Sequence, residues 1–93
     1  MSGYDETAEH LSDEARDFHR AIVSLREELE AVDFYNQRMD ATIDAELRAV
    51  LKHNRDEEME HAAMLLELIR RRVPEFDREL RDWLFTEKAL SHH

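Results

Sequence analysis

Apolar residues recur at helical spacing in two long stretches of the chain. The first stripe steps by three and four residues over about seven turns, which predicts an amphipathic helix over residues 13–40. Ser12 is the expected N-cap, and the acidic Asp13 and Glu14 follow in the first turn, where the helix dipole favours negative charge. Residues 1–11 are expected to fray. The stripe consists of Phe18, Ala21, Leu25, Glu28, Val32, Tyr35 and Met39.

A second stripe predicts another helix over residues 45–72. It is out of phase with the first, so we expect the chain to turn between Asp40 and Asp44, with Thr42 or Asp44 as the new N-cap. One continuous helix is the alternative, because no glycine marks the turn. The stripe consists of Leu47, Leu51, Asn54, Glu58, His61, Leu65 and Leu68.

The sequence RRRVP predicts the end of this second helix. Three arginines complement the negative end of the helix dipole, and Pro74 cannot continue the helix. A short amphipathic third helix is expected over residues 75–86, with inward side chains from Phe76, Leu80, Trp83 and Leu84. The predicted fold class is therefore all-α, an antiparallel two-helix hairpin followed by a short C-terminal helix.

Composition narrows the function. The 93 residues allow one domain, and the absence of cysteine excludes disulfides, thiolate zinc sites and iron–sulfur clusters. A formal charge of −10 argues against a nucleic-acid partner, because phosphates would be repelled. The longest apolar run, 62–66, is too short to cross a membrane. The polar, acidic N-terminal stretch is not typical of a secretory signal or a transit peptide, so we expect a cytoplasmic protein.

Three polar residues interrupt the apolar stripes at a similar level. With the turn near Thr42, the side chains of Glu28, Glu58 and His61 all lie roughly 20–30 Å from it in an antiparallel hairpin. A carboxylate without a partner in an apolar seam costs several kcal/mol. Neither stripe offers a lysine or arginine at that level. A divalent cation would compensate the charge; the alternative is a satisfied core histidine in a seam that also tolerates Asn54.

The spacing of these residues matches half of a known metal site. Glu58 and His61, three residues apart, share one helix face. Di-iron carboxylate bundles use one Glu from each of two helices and a Glu-x-x-His from each of the other two. One chain supplies half of that set in Glu28, Glu58 and His61. A homodimer would complete it and form a four-helix bundle that buries both stripes.

Other polar residues give weaker signals. Glu27 and Glu30 flank Glu28 and form either a solvated face or a weak cation site on the way to it. Tyr35 is either a core aromatic residue or a neighbour of the metal. The side chains of His53 and Glu57, one turn apart but off the stripe, are expected to form a solvent-facing pair rather than a zinc site.

The segments HRAIVSLREELEAVDFYNQRMDA, LKHNRDEEMEHAAMLLELIRRR and LFTE resemble the encapsulated ferritins, the small half-ferritins carried inside encapsulin compartments. The resemblance implies a single half-ferritin domain over 1–93 and a di-iron centre shared by two subunits of a homodimer. By matching position, Glu28, Glu58 and His61 are its catalytic metal ligands, and Glu27 and Glu30 attract metal at an outer site. Tyr35 falls beside the centre, and Phe34 stands where the family usually has tryptophan.

The resemblance also implies an assembly and an activity. Dimers would form a decameric ring, with the encapsulin shell protein as partner and the shell lumen as location. The expected function is ferroxidase, the oxidation of ferrous to ferric iron by dioxygen for storage. A non-catalytic metal carrier and a structural helical-bundle interaction module are the alternatives.

Overall fold

The computed structural model of the protein describes residues 3–91, so the domain expected over 1–93 extends two residues beyond it at each end. Within that part, all regular structure is helical, which confirms the predicted all-α class. Helix α1 runs Asp13–Ala41, α2 runs Ala45–Arg72 and α3 runs Pro74–Trp83, preceded by a 3-10 turn at Ala8–His10. No helix of this part is long and apolar enough to span a bilayer.

Side-chain hydrogen bonds cap the helix ends between α1 and α2, and no glycine is needed in the turn. The Asp44 carboxylate accepts the backbone N–H of Leu47 at 2.9 Å, and the Thr42 hydroxyl accepts that of Asp44 at 3.2 Å. Arg48 donates across the turn to the carbonyl oxygens of Met39, at 3.2 Å, and Thr42. Residues 42–44 are therefore not helical, and the alternative of one continuous helix is wrong.

The two long helices are antiparallel, and named contacts fix their register. The Arg55 guanidinium donates to the Asn36 side-chain oxygen at 2.9 Å, and further from the turn His61 faces Glu28. Only Ala62 and Ile69 are buried in the described part, with 8% and 2% of their surface exposed. The hairpin therefore encloses a thin core and leaves most of each apolar stripe half-buried.

The second predicted stripe lies at the edge of the α1–α2 contact rather than at its centre. The buried residues Ala62 and Ile69 follow His61 and Leu68 by one position, a rotation of about 100° on a helix. His61 consequently points away from the centre of the hairpin, and its side chain is 45% exposed. The stripe covers one flank of α2, which a single neighbouring helix cannot bury.

The expected fraying of residues 1–11 is wrong for the described residues near α1. The Arg16 side chain donates to the carbonyl oxygen of Ala8, and the Tyr4 and His19 rings lie 4.7 Å apart between centroids. Ser12 caps α1 as predicted, accepting the N–H of Ala15 at 3.0 Å. The segment before α1 is thus folded back along the first turns of that helix.

Helix α3 ends at Trp83 and not near residue 86. The Thr86 hydroxyl donates to the Trp83 carbonyl oxygen at 3.0 Å, and Phe85 has a left-handed φ of 58°, so the chain leaves the helix. Leu84 and Phe76, both predicted to face inward, are exposed, whereas Leu80 and Trp83 are half-buried. The helix packs mainly against α2, so its inner face is narrower than the sequence pattern indicates.

A network of ion pairs holds α3 against the end of α2. The Arg70 guanidinium forms two bonds of 2.7 Å to the Glu67 carboxylate and one of 2.5 Å to Asp77 on α3. Arg71 also contacts Glu67, at 2.7 Å, and Arg81 contacts Asp77. Arg70 first, and then Arg71, lower the pKa of the Glu67 carboxyl from 4.5 to about 2. The arginines at the end of α2 therefore orient α3 as well as complementing the helix dipole.

The lowered pKa values of Glu67 and of Asp77, the α3 residue that shares Arg70 with it, predict that α3 loosens in acid. A depressed carboxyl pKa contributes stability above the ordinary value of 4.5, and this contribution is lost as the pH falls toward 2. The fluorescence of Trp83, the single tryptophan, should change in that window. Glu67→Gln should reduce the change, whereas Glu60→Gln, two turns earlier on the same side of α2, should leave it intact. Identical titrations of wild type and Glu67→Gln would contradict the role of this network.

Candidate metal centre

The three polar residues of the stripes converge in the middle of the hairpin. Glu58 and His61 lie one turn apart on α2, and the antiparallel register brings Glu28 of α1 to the same level. One donor atom from each side chain lies within 4.8 Å of the other two, and no other group of three such side chains meets this condition in residues 3–91. We refer to Glu28, Glu58 and His61 as the ligand trio.

The distances within the ligand trio suit an ion better than direct hydrogen bonds. The His61 Nδ1 atom is 3.5 Å from Oε2 of Glu58 and 3.6 Å from Oε2 of Glu28, at or beyond the usual limit for N–H···O bonds. Two donor atoms that each lie about 2.1 Å from one cation are separated by at most about 4.2 Å. Small rotations of the side chains would therefore place all three donor atoms around one cation.

The electrostatics of the ligand trio favour a cation. The two carboxylates are only 24–26% exposed, and within the described part their only ion pairs are with His61. A neutral imidazole offers a nitrogen donor but cannot compensate two negative charges. Hard oxygen donors with one imidazole suit ferrous, ferric, manganous or zinc ions. The chemistry of the donor set thus fits a transition metal, with positions left for further ligands.

Neighbouring residues named by the sequence lie outside the trio. Glu27 and Glu30 are exposed and bring no donor atom into the group. Tyr35 is half-buried, and the Arg38 guanidinium lies 5.6 Å from the centre of its ring and 5.9 Å from that of the exposed Phe34. The Arg38 guanidinium therefore lies near both aromatic rings.

The other histidine–carboxylate pair on α2, His53 and Glu57, faces solvent, as predicted. The Nε2 atom of His53 is 3.2 Å from the Glu57 carboxylate, and the side chains are 71% and 51% exposed. This pair supplies two donor groups instead of three, so it serves as an internal comparison for the trio.

Sequence reasoning missed the residues that hold the trio in register. Arg55 and Asn36 join α2 to α1 through a side-chain hydrogen bond two turns from Glu28. A signal was present, because Arg55 lies one turn before Glu58 and seven residues before the buried Ala62, which places it toward α1. The predicted stripe instead included the neighbouring Asn54, so it ran along the flank of α2 rather than along the face that contacts α1.

Comparisons with known proteins identify the family of the chain. The model of the EncFtn-like family matches residues 3–87. The chain belongs to this family. The resemblance to encapsulated ferritins inferred from the sequence is thereby confirmed.

Individual relatives share the family over most of the chain. An "Encapsulated ferritin-like protein" of Rhodospirillum rubrum is 58% identical over 92% of this chain, which spans 61% of that protein. A "Ferritin-like protein" of Thermotoga maritima is 53% identical over 95% of this chain and 77% of the relative. The crystal structure of protein ne0167 from Nitrosomonas europaea is 68% identical, covers 97% of this chain and 99% of its own, and superposes with a TM-score of 0.91.

Metal binding at the trio should stabilise the fold. Cobalt(II), a divalent ion that air does not readily oxidise, should raise the thermal unfolding midpoint of the protein by several degrees, because it binds the folded state only. His61→Ala should abolish most of the shift, and His53→Ala should keep it. Equal shifts in the two variants would show that cobalt binds elsewhere.

Proposed function

We propose that the chain is one half of a ferroxidase, which oxidises ferrous to ferric iron with dioxygen at a di-iron centre formed between two copies. The observation that carries this proposal is the convergence of Glu28, Glu58 and His61 on a face that one hairpin leaves open. Two copies would bring four carboxylates and two imidazoles together, the set used by di-iron carboxylate bundles. Membership of the family supports the same assignment.

The ligand trio suits the oxidation of iron as substrate. Carboxylate oxygens stabilise a ferric ion more than a ferrous one, because the attraction grows with the charge of the ion. Glu28 and Glu58 would therefore favour the loss of an electron from each ferrous ion that they bind. His61 would add a nitrogen donor to the two carboxylates. These three side chains would leave coordination positions on the iron free for dioxygen.

Pairing two irons matches the electron balance of the reaction. Each ferrous ion gives up one electron, so two ions supply the two electrons that reduce dioxygen, with two protons, to hydrogen peroxide. Reduction to water takes four electrons and hence four ferrous ions. Carboxylates from both copies would offset the repulsion between two neighbouring cations.

We further propose that the protein works as a homodimer within a decameric ring, inside the lumen of an encapsulin compartment in the cytoplasm. The name of the Rhodospirillum rubrum relative, an encapsulated ferritin-like protein, supports the compartment. A ring needs a second contact besides the dimer, because one twofold contact closes on itself. Leu29, Met59 and Phe34 are exposed apolar residues that would offer such a surface. Leu29 and Met59 each follow a ligand by one position, which places them about 100° round the helix from it. The encapsulin shell protein would be the outer partner.

Alanine variants of the ligand trio test the activity. Glu28→Ala, Glu58→Ala and His61→Ala should each lower the initial rate of ferrous oxidation at least about tenfold, because each removes a donor. Glu57→Ala is the matched control, since Glu57 precedes Glu58 but pairs with His53 at the surface. Absorbance of ferric product and oxygen consumption would be followed together.

The same experiment separates the alternatives. If the trio variants keep wild-type rates at equal iron loading, the ferroxidase proposal fails. A carrier would bind ferrous iron without consuming oxygen. A structural module would assemble in the same way with and without metal, as native mass spectrometry would reveal.

The exposed acidic residues beside the trio have a separate expected effect. Glu27 and Glu30 would raise the local concentration of ferrous ions without binding them during oxidation. A Glu27→Ala/Glu30→Ala variant should therefore oxidise iron more slowly at low iron and normally at saturating iron. An unchanged rate at both iron concentrations would mean that Glu27 and Glu30 form a solvated face and do not attract iron. A loss at saturation as large as that of Glu28→Ala would make them ligands.

A further inference from the structure

Two of the four methionines of the chain lie on α2, close to the ligand trio. Met64 follows His61 by three residues, which places it about 60° round the helix and about 4.5 Å along it. Met59 precedes His61 by two residues, about 160° round the helix and only about 3 Å along it. Both are exposed, with exposed fractions of 63% for Met64 and 47% for Met59. The two methionines therefore differ mainly in the side of α2 that they occupy.

Met64 lies at the edge of the flank of α2 that carries His61. Residues three apart on a helix are neighbours, and long side chains in a helix lean toward the turn that precedes them. That direction brings the thioether of Met64 toward the turn that contains His61. Leu68 continues the same flank, and Met64 and Leu68 line one shallow depression of the surface. A small molecule that leaves the trio on this side would pass the Met64 sulfur.

The two-electron route of the proposed reaction generates an oxidant at the trio, because two ferrous ions reduce dioxygen to hydrogen peroxide. A thioether sulfur attacks one oxygen of peroxide and becomes a sulfoxide. An S–O bond forms, the O–O bond breaks, and the second oxygen leaves as water after it takes up the proton of the transferred oxygen. Sulfur loses two electrons and peroxide gains them, so the step needs no further reactant. The chain has no cysteine, so no thiol competes with the methionines for peroxide.

We propose that Met64 is a modification site, oxidised to methionine sulfoxide by the peroxide that forms at the ligand trio. The proposal rests on the proposed function, because the oxidant is a product of that reaction. It deepens that function by committing to peroxide as the product and by naming a side chain that consumes it. Each oxidation removes one peroxide molecule before it reacts with further ferrous iron. Reductases convert methionine sulfoxide back to methionine, so the site can be used again.

Met59 distinguishes peroxide that comes from the trio from peroxide that arrives through the solvent. Peroxide in bulk solution reaches both methionines, because both are exposed. Met59 is the nearer of the two to His61 along the helix axis, so proximity along the chain would favour its oxidation. Its side chain leans toward the turn that contains Arg55, however, and not toward His61. Preferential oxidation of Met64 during turnover therefore requires peroxide that starts on the His61 side of α2.

Peptide mass spectrometry of the full-length protein tests this proposal. The wild type is given ferrous iron in air with catalase present, which destroys peroxide that reaches the solution. The sulfoxide fraction at Met64 should then exceed that at Met59 by at least about fivefold, because only peroxide released beside the thioether escapes catalase. Hydrogen peroxide added to the protein without iron and without catalase supplies the reference, and it should oxidise both methionines to similar extents. The absorbance of ferric product is recorded in the samples that contain iron.

Three variants serve as controls. Glu28→Ala removes a ligand from α1 and leaves the sequence of α2 unchanged, so with the same iron it should lower the sulfoxide at Met64 to the level at Met59. Met64→Leu conserves the apolar volume and removes the sulfur. Measured without catalase, it should release more peroxide per iron oxidised than the wild type in the first turnovers. Met59→Leu, the matched substitution on the other side of α2, should release as much peroxide as the wild type.

Preferential oxidation of Met64 that disappears in Glu28→Ala supports the proposal. Equal oxidation of the two methionines during turnover, or a preference that persists in Glu28→Ala, would overturn it. Rapid iron oxidation that leaves Met64 unmodified would also overturn it, and the ferroxidase proposal would then stand. A wild type that oxidises iron no faster than Glu28→Ala would refute the ferroxidase proposal itself, and the Met64 proposal with it.

Discussion

Two helices cannot bury what this sequence places on them. A helix pair shares a single contact face, and that face is filled here by Ala62 and Ile69 with half-buried neighbours. The carboxylates of Glu28 and Glu58 lie beside it and are partly withdrawn from solvent. A second pair of helices would cover the apolar flank of the hairpin. A bound cation would neutralise the two carboxylates. The small core of a two-helix fold therefore accounts for both the open apolar flank and the partly buried carboxylates.

Polar contacts at the two ends of the hairpin determine the register of α1 against α2. A slip of one residue would turn Glu28 about 100° away from His61 and shift it by 1.5 Å along the helix. The hydrogen bond from Arg55 to Asn36 and the bonds of Arg48 across the turn oppose such a slip. At the other end, the Arg70 network fixes where α3 leaves α2. Polar contacts at both ends thus position the donor atoms in the middle.

Long helices and their caps were predictable from the sequence because their signals are local. The spacing of apolar residues, the Ser12 and Asp44 caps and Pro74 each act within a few residues, and the antiparallel turn then places the ligand trio at one level. Features decided by contacts distant in sequence were not predictable. Ala62 differs from His61 by one position, too little for an apolar stripe to decide which of them faces α1. The end of α3 is a local feature that was missed for another reason, because neither the Thr86 hydroxyl nor the left-handed Phe85 alters the helical pattern.

A metal site divided between two copies links assembly to chemistry. In the proposed dimer, two trios would bring four carboxylates together, and without cations their repulsion would oppose the apolar attraction of the faces. Metal binding would relieve that repulsion, so by linkage the dimer would bind metal more tightly than the single chain, and metal would favour the dimer by the same factor. A single hairpin, with one trio and an open flank, would hold iron weakly and could not bring two irons together. Oxidation that needs two electrons would then be confined to the assembled protein, because only there do two ferrous ions share one set of ligands.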